Sequence, residues 1–169
     1  MVSPRRPGSG LSGAVTLREV APGDIPIFFE HQSDPEANWT AAFAAEQPYD
    51  RGAHEAHWTM IRAYPAALAK TVLVDGAVVG HVLHFEQMGL PSVAYWIGRE
   101  HWGKGIATGA LRALLSEVKT RPLYARAAAD NTRSLRVLEK CGFKAIARDR
   151  SYANARKTEV DEVVLRLDA

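Results

Sequence analysis

The chain has 169 residues, 47% of them hydrophobic and 24% charged, with a formal net charge of +2. That is an ordinary globular composition, long enough for one domain of about 100–200 residues, and it excludes a disordered, collagen-like or coiled-coil chain. No apolar run approaches the ~20 residues that span a bilayer, since the most apolar stretch is broken by Gly80, His81 and His84.

The single cysteine, Cys141, rules out an internal disulfide and a multi-cysteine zinc site. The first twelve residues carry two arginines with no apolar segment behind them. They read as a flexible leader, 1–12, rather than a secretion signal, which leaves one domain over 13–169 and a cytoplasmic protein. Charge is unevenly spread: residues 1–98 hold 6 basic and 10 acidic side chains, whereas residues 99–150 hold 12 basic and 5 acidic ones. A basic half calls for an anionic ligand, and the acidic half would repel a nucleic-acid backbone, so a compact anion is the better match.

In chain order, Ala14–Val20 alternates as a first strand. Asp24 is placed to cap a helix running to about Gln32, and a Pro- and Asp-containing stretch past Trp39 leads to a second helix over 52–63, ended by Pro65. Leu68–Val74 and Ala77–Glu86 are β-branched runs joined by Asp75-Gly76, a two-residue hairpin signal. Ser92–Ile97 is the next strand. From Gly103 to about Lys119 the period changes, with Ala107, Ala110, Leu111, Leu114, Leu115 and Val118 on one helical stripe. Pro122–Ala127 is a short strand. Asp130 or Asn131 caps a helix carrying Leu135 and Leu138, Gly142 ends it, and two strands over 143–150 and 160–167 close the chain. The pattern predicts an α/β (α+β) fold with a mixed, mostly antiparallel sheet of six to seven strands flanked by about four helices.

The strongest local feature is Tyr95-Trp96-Ile97-Gly98-Arg99-Glu100-His101-Trp102-Gly103-Lys104-Gly105-Ile106-Ala107-Thr108. A strand ends, a turn follows, and a Gly-x-Gly-x-Ala segment opens a helix. Glycines let a ligand approach the backbone, and the free N–H groups of a helix's first turn attract phosphate. A P-loop string is absent, and the Gly103, Gly105, Gly109 spacing departs from a dinucleotide fingerprint in lacking an acidic residue ~20 positions on.

One strand downstream stands Asn131-Thr132-Arg133-Ser134-Leu135-Arg136-Val137-Leu138-Glu139-Lys140-Cys141-Gly142-Phe143. Together the two segments resemble the GNAT superfamily of N-acetyltransferases, in particular its ribosomal-protein alanine (RimJ/RimL-like) and aminoglycoside-type branch, over roughly residues 14–168. The resemblance implies acetyl-CoA as donor, with the amides of Gly103, Lys104, Gly105, Ile106, Ala107 and Thr108 around the pyrophosphate and Lys104 and Arg99 adding charge. It implies that the strand at Trp96, Ile97 and Gly98 splays from its neighbour to pair with the pantetheine, and that an N–H near Ile97 holds the developing oxyanion. It further implies that Asn131 bonds the cofactor arm and Lys140 or Arg136 meets the ribose phosphate.

Three positions depart from the family pattern. Trp102 stands where glutamine or arginine is common, Leu138 where a tyrosine often protonates the thiolate, and Ser92 where relatives often carry a glutamate base. Ser134, one turn before Leu138, is the nearest alternative acid, or else a capping or cofactor-binding residue. Base candidates are Glu86, His84 and Glu30, in that order. Acceptor binding falls, by resemblance, to Glu30, His31 and Trp39 on the acidic, aromatic stretch over 30–39. His54 and His57 are three apart but lack a third ligand, so no metal is expected.

The sequence therefore reads as an acetyl-CoA-dependent N-acetyltransferase acting on a small-molecule or peptide amine, with no nucleic-acid or membrane partner, as a monomer or homodimer. A non-catalytic module that binds acyl-CoA is the alternative. A dinucleotide-dependent oxidoreductase fits the glycines only loosely.

Overall fold

A computed structural model describes residues 13–169; the expected leader, 1–12, lies outside them. The elements are β1 (Val15–Glu19), α1 (Asp24–Gln32), α2 (Pro35–Ala41), α3 (Arg51–Ala63), β2 (Leu68–Val74), β3 (Ala77–Gln87), β4 (Leu90–Ile97), α4 (Ile106–Glu117), β5 (Leu123–Ala128), α5 (Thr132–Lys140), β6 (Lys144–Ala153) and β7 (Thr158–Leu167). They form one seven-stranded sheet in the order β1-β2-β3-β4-β5-β7-β6. Every adjacent pair is antiparallel except β4 and β5. No described helix is long and apolar enough to cross a membrane.

The β2–β3 hairpin turns on Asp75 and Gly76, both with positive φ, as the Asp-Gly pair predicts for a turn that matches strand twist. The valines and leucines facing α4 make the main core. Val72, Val82, Val93 and Ile97 from the sheet meet Ala110, Leu111 and Leu114 of α4, with Leu138 and Phe143 closing the α5 end. Burying each such side chain stabilises the fold by about 1.5–3 kcal/mol.

Two expectations change. Asp34-Pro35 begins a helix rather than continuing a loop: Asp34 Oδ1 accepts from Ala37 N–H at 2.9 Å and the proline occupies the first turn, where its missing N–H costs nothing. Asp24 begins α1 without capping it. Its carboxylate instead accepts from both guanidinium Nη atoms of Arg18 (2.6 and 2.8 Å), Ala21 N–H (2.8 Å) and Thr71 Oγ1 (2.7 Å). Burial alone would push this carboxyl up, but those donors outweigh it and hold it at about 2. The buried carboxylate thereby ties α1 to β1 and β2.

On the opposite face, His81 is packed between Phe28 and Trp58, with ring centroids 4.9 and 4.8 Å away, and its Nδ1 has no partner among the described residues. Burial pushes this imidazole down to about 3. His31 and His54 are lowered too, again chiefly by burial. As pH falls below the unfolded value of about 6.5, the unfolded chain takes up protons that the folded one refuses, so stability is complete above that pH and lost below it. His81 alone contributes a slope of about 1.4 kcal/mol per pH unit. Denaturant unfolding followed from pH 7 to pH 5 should show that loss, and His81→Leu should flatten it; an unchanged slope in the variant would contradict the burial argument.

Candidate active site

The sheet opens at its parallel junction, the one such pair among the described residues. β4 pairs with β5 at Ser92–Tyr124 and at no other described position, whereas β4 remains paired with β3 up to Ile97. Gly98 N–H donates to Val79 O at 2.9 Å, so the backbone groups of Gly98 face β3. Because these groups alternate sides along a strand, those of Ile97 and Tyr95 face the opening toward β5. Trp102 Nε1 donates to Ile97 O at 2.8 Å. The N–H groups of Ile97 and Tyr95 therefore look into a wedge that narrows toward Ser92.

The wide end of this wedge is ringed by helix starts. β4 and β5 run in parallel, so the segments leaving their carboxyl ends, which open α4 and α5, begin at the same edge of the sheet. Gly103 and Gly105 both have φ of +75°, and a Cβ added at either would meet nothing within 4 Å. The left-handed conformation, which L side chains disfavour, turns the chain into α4 and leaves open space over its first amides. Gly109 N–H donates to Gly105 O at 3.0 Å, so the N–H groups of Gly105, Ile106, Ala107 and Thr108 precede the first intrahelical bond. Gly105 supplies no side-chain cap. A row of uncapped amides at the head of a twelve-residue helix is a chemically suitable seat for phosphate oxygens. Lys104 is exposed beside it.

Several side chains are already committed. Arg99 donates to Asp34 Oδ2 (2.8 Å) and Glu36 Oε2 (2.7 Å), so its charge is balanced by α2 rather than free for a phosphate. Trp102, in place of a polar residue, spends its N–H on Ile97 O and carries Arg133 over its ring at 5.0 Å. Trp96 lies on the α1 face of β4, where its Nε1 donates to His31 O at 3.3 Å. Gly98 is required by packing: a Cβ there would stand 2.7 Å from His31 Cδ2. Asn131 caps α5, its Oδ1 accepting from Ser134 N–H at 3.2 Å. Lys140 is exposed at the far end of α5, about 9 Å along the helix from Ser134.

Leu138 is 2% exposed and belongs to the core. The hydroxyl that pairs with Ser134 comes from Tyr95 on β4, with Tyr95 Oη and Ser134 Oγ 2.8 Å apart. Burial pushes this phenol up to about 12, only partly opposed by the Ser134 bond. It stays protonated at any physiological pH. The sequence names both residues but not their meeting, because 39 positions separate them.

The base candidates fall at different depths. His84 stands opposite Val93, half-buried, with Nδ1 3.2 Å from Ser92 O. That is two residues, or about 7 Å, from the level of Tyr95. Glu86 is exposed and opposite Pro91, about 13 Å from that level, so the register reverses the order in which the sequence ranks the two. Glu30 is exposed on α1 beside His31. His31 is 8% exposed, its Nδ1 unpartnered among the described residues, and burial lowers its imidazole more than Glu100 raises it. Together with Glu100 and His101 it offers ligand atoms within 4.8 Å of one another. Glu100 is open to solvent, with its side chain 72% exposed.

The acceptor stretch over 30–39 becomes the end of α1 and most of α2. Trp39 is 57% exposed and lies under Arg156, whose guanidinium carbon is 5.1 Å from the ring centroid. Arg156 also donates to Trp39 O (2.9 Å) and to both oxygens of Asp130 (2.6 and 3.0 Å), tying the β6–β7 turn to α2 and to the segment before α5. Beside this clamp is an open cavity of about 890 Å³ lined by Asn38, Trp39, Glu46, Tyr49, Asp50 and Lys157, among others. The sequence gives no sign of Arg156, since its partners lie in two distant segments, at Trp39 and Asp130.

Comparison with known proteins bears on the fold and the family. The family model described as acetyltransferase (GNAT) domain matches residues 14–144. No curated protein matches the chain. Among solved structures, a ribosomal-protein-alanine N-acetyltransferase from Brucella melitensis is 18% identical, covers 91% of this chain and 99% of its own, and superposes with a TM-score of 0.78. Mycobacterium smegmatis RimJ, in complex with CoA-disulfide, is 20% identical over 94% of this chain and 84% of its own, with a TM-score of 0.75. A spermidine N-acetyltransferase from Vibrio cholerae, in complex with CoA and spermine, is 19% identical over 90% and 95%, with a TM-score of 0.73. At these identities the superpositions establish the fold, and the family model, spanning well over half of the sequence, establishes membership: the chain belongs to the GNAT acetyltransferase family.

Proposed function

We propose that this protein is a cytoplasmic N-acetyltransferase that moves an acetyl group from acetyl-CoA to a primary amine. The observation that carries the proposal is the wedge between β4 and β5, whose wide end meets the uncapped amides of α4. A pyrophosphate seated on the Gly103–Thr108 amides leaves a pantetheine-length arm to lie along β4, and that arm's reactive end reaches the narrow part of the wedge. Open space at Gly103 and Gly105 is what such a ligand needs.

Each residue then has a defined task. The thioester supplies an activated acetyl carbon. Ile97 N–H, and Tyr95 N–H two residues deeper, are the donors that face a carbonyl oxygen in the wedge and stabilise its developing negative charge. Ser134 lies where a departing sulfur needs a hydrogen-bond donor. His84, nearer the level of Tyr95 than Glu86, is the better placed base for removing a proton from the amine. Most of the acceleration comes from holding amine and thioester together, since two bound reactants need little further activation once the amine is neutral.

The acceptor enters from the cavity at Trp39, whose acidic and aromatic lining, Glu46, Asp50 and Tyr49, suits a cationic amine. That chemistry is consistent with the acceptors in the names of the solved relatives, ribosomal-protein alanine and spermidine.

The direct test is thiol release from acetyl-CoA in the presence of an alanyl N-terminal peptide, spermidine or an aminoglycoside. Acetylated product from at least one amine is expected. Binding of acetyl-CoA with no transfer to any of them would leave the acyl-CoA-binding module as the surviving reading. The placement of the donor is tested separately by Gly105→Trp, which fills the space over the α4 amides. Circular dichroism should be retained while acetyl-CoA affinity falls at least tenfold; unchanged affinity would refute the cradle.

A further inference from the structure

We propose that Tyr95 is a positioning residue for the leaving group: its phenol donates to Ser134 Oγ and so directs the serine's own proton into the β4–β5 wedge. The inference rests on the acetyltransferase reading above. Tyr95 occupies the stretch of β4 that lies beyond the Ser92–Tyr124 pair, and its side chain shares a strand face with Ile97, on the side of α4 and α5.

Of the two hydroxyls, the phenol is the more acidic and therefore the better donor. Half-buried against the core, Tyr95 has Ser134 as its hydrogen-bond partner among the described residues, so the serine oxygen is the acceptor that the fold offers its proton. Ser134 is held from the other side by Asn131, which accepts from its backbone N–H. A serine that accepts from Tyr95 through Oγ cannot also direct its proton back along that line. The hydroxyl hydrogen is left to a second acceptor, and since Ser134 is only half-buried, a thioester sulfur in the wedge can be that acceptor.

The chemistry balances simply. The amine nitrogen forms a bond to the acetyl carbon, the carbon–sulfur bond breaks, and its electron pair goes to sulfur. Ser134 stabilises that thiolate by hydrogen bonding, and the proton lost by the nitrogen ends on the sulfur. Tyr95 changes neither its covalent state nor its charge, and burial keeps its phenol protonated throughout the working range.

The test compares Tyr95→Phe, which keeps the ring, with Ser134→Ala, Ser134→Thr and the Tyr95→Phe/Ser134→Ala double variant. The acceptor is whichever of the three amines gives the fastest thiol release. Tyr95→Phe should lower kcat about tenfold, with acetyl-CoA Kd within about twofold and the amine KM unchanged. Ser134→Ala should be at least as slow, and the double variant no slower than Ser134→Ala alone, because one residue acts through the other. Ser134→Thr, which keeps the hydroxyl, should recover most of the rate when Tyr95 is present and little when it is Phe. Full kcat in Tyr95→Phe, multiplying losses in the double variant, or a loss confined to acetyl-CoA affinity would each overturn the proposal. A wild-type protein that neither binds acetyl-CoA nor releases thiol would overturn the acetyltransferase reading itself.

Discussion

The separation of β4 from β5 is the constraint on which the rest of the molecule depends. A strand whose N–H groups face no partner exposes unsatisfied donors, and proteins normally pair or cover them. Here the antiparallel ladder from β1 to β4 fixes one side of the opening, and β7 and β6 fix the other by pairing with β5. The two halves meet at Ser92–Tyr124 and are bridged higher up by the Tyr95–Ser134 hydrogen bond. Trp102 satisfies Ile97 O with its indole N–H. The opening is thus held by packing on both sides, and the donors left within it are available for a ligand.

Electrostatics refine this picture. The basic surplus of residues 99–150 is partly cancelled within the fold: Arg99 by Asp34 and Glu36, Arg126 by Glu162 and Asp149, and Arg150 by Glu159 and Asp161. Among the described residues Lys104, Arg112, Lys119, Arg121, Arg133, Arg136, Lys140, Lys144 and Arg148 make no ion pair, so a basic surplus remains on this half of the chain. Of these, Lys104 adjoins the amides of α4, where the backbone can also bind an anion. On the acceptor side, Arg156 stacks over Trp39 and is neutralised by Asp130 beside the cavity, whose own lining carries Glu46, Asp50 and Lys157.

Much of the fold was legible because local chemistry determines it. Asp75-Gly76 specifies a hairpin whatever surrounds it, the Gly103–Thr108 segment announces a helix start with exposed amides, and Asn131 caps α5 as its type and position predict. The helix at 35–41 was legible in principle, since Asp34-Pro35 is a cap followed by a first-turn proline. Asp24 misled because a carboxylate before a helical run usually caps, whereas here Arg18 and Thr71, distant in sequence, claim it. The site's remaining features are long-range. Tyr95 reaching Ser134, Arg156 clamping Trp39 to Asp130, and His84 standing nearer the wedge than Glu86 all follow from strand register and from which segments pack together, which single-residue patterns do not encode.

The central claim is that the wedge and the α4 amides form a site for acetyl-CoA, and calorimetric titration of the purified protein with acetyl-CoA, with NADH as control, tests it most directly. The account predicts saturable one-to-one binding of acetyl-CoA and no heat from NADH. Absence of acetyl-CoA binding, or equal binding of NADH, would contradict it and reduce the glycine turn to a packing feature.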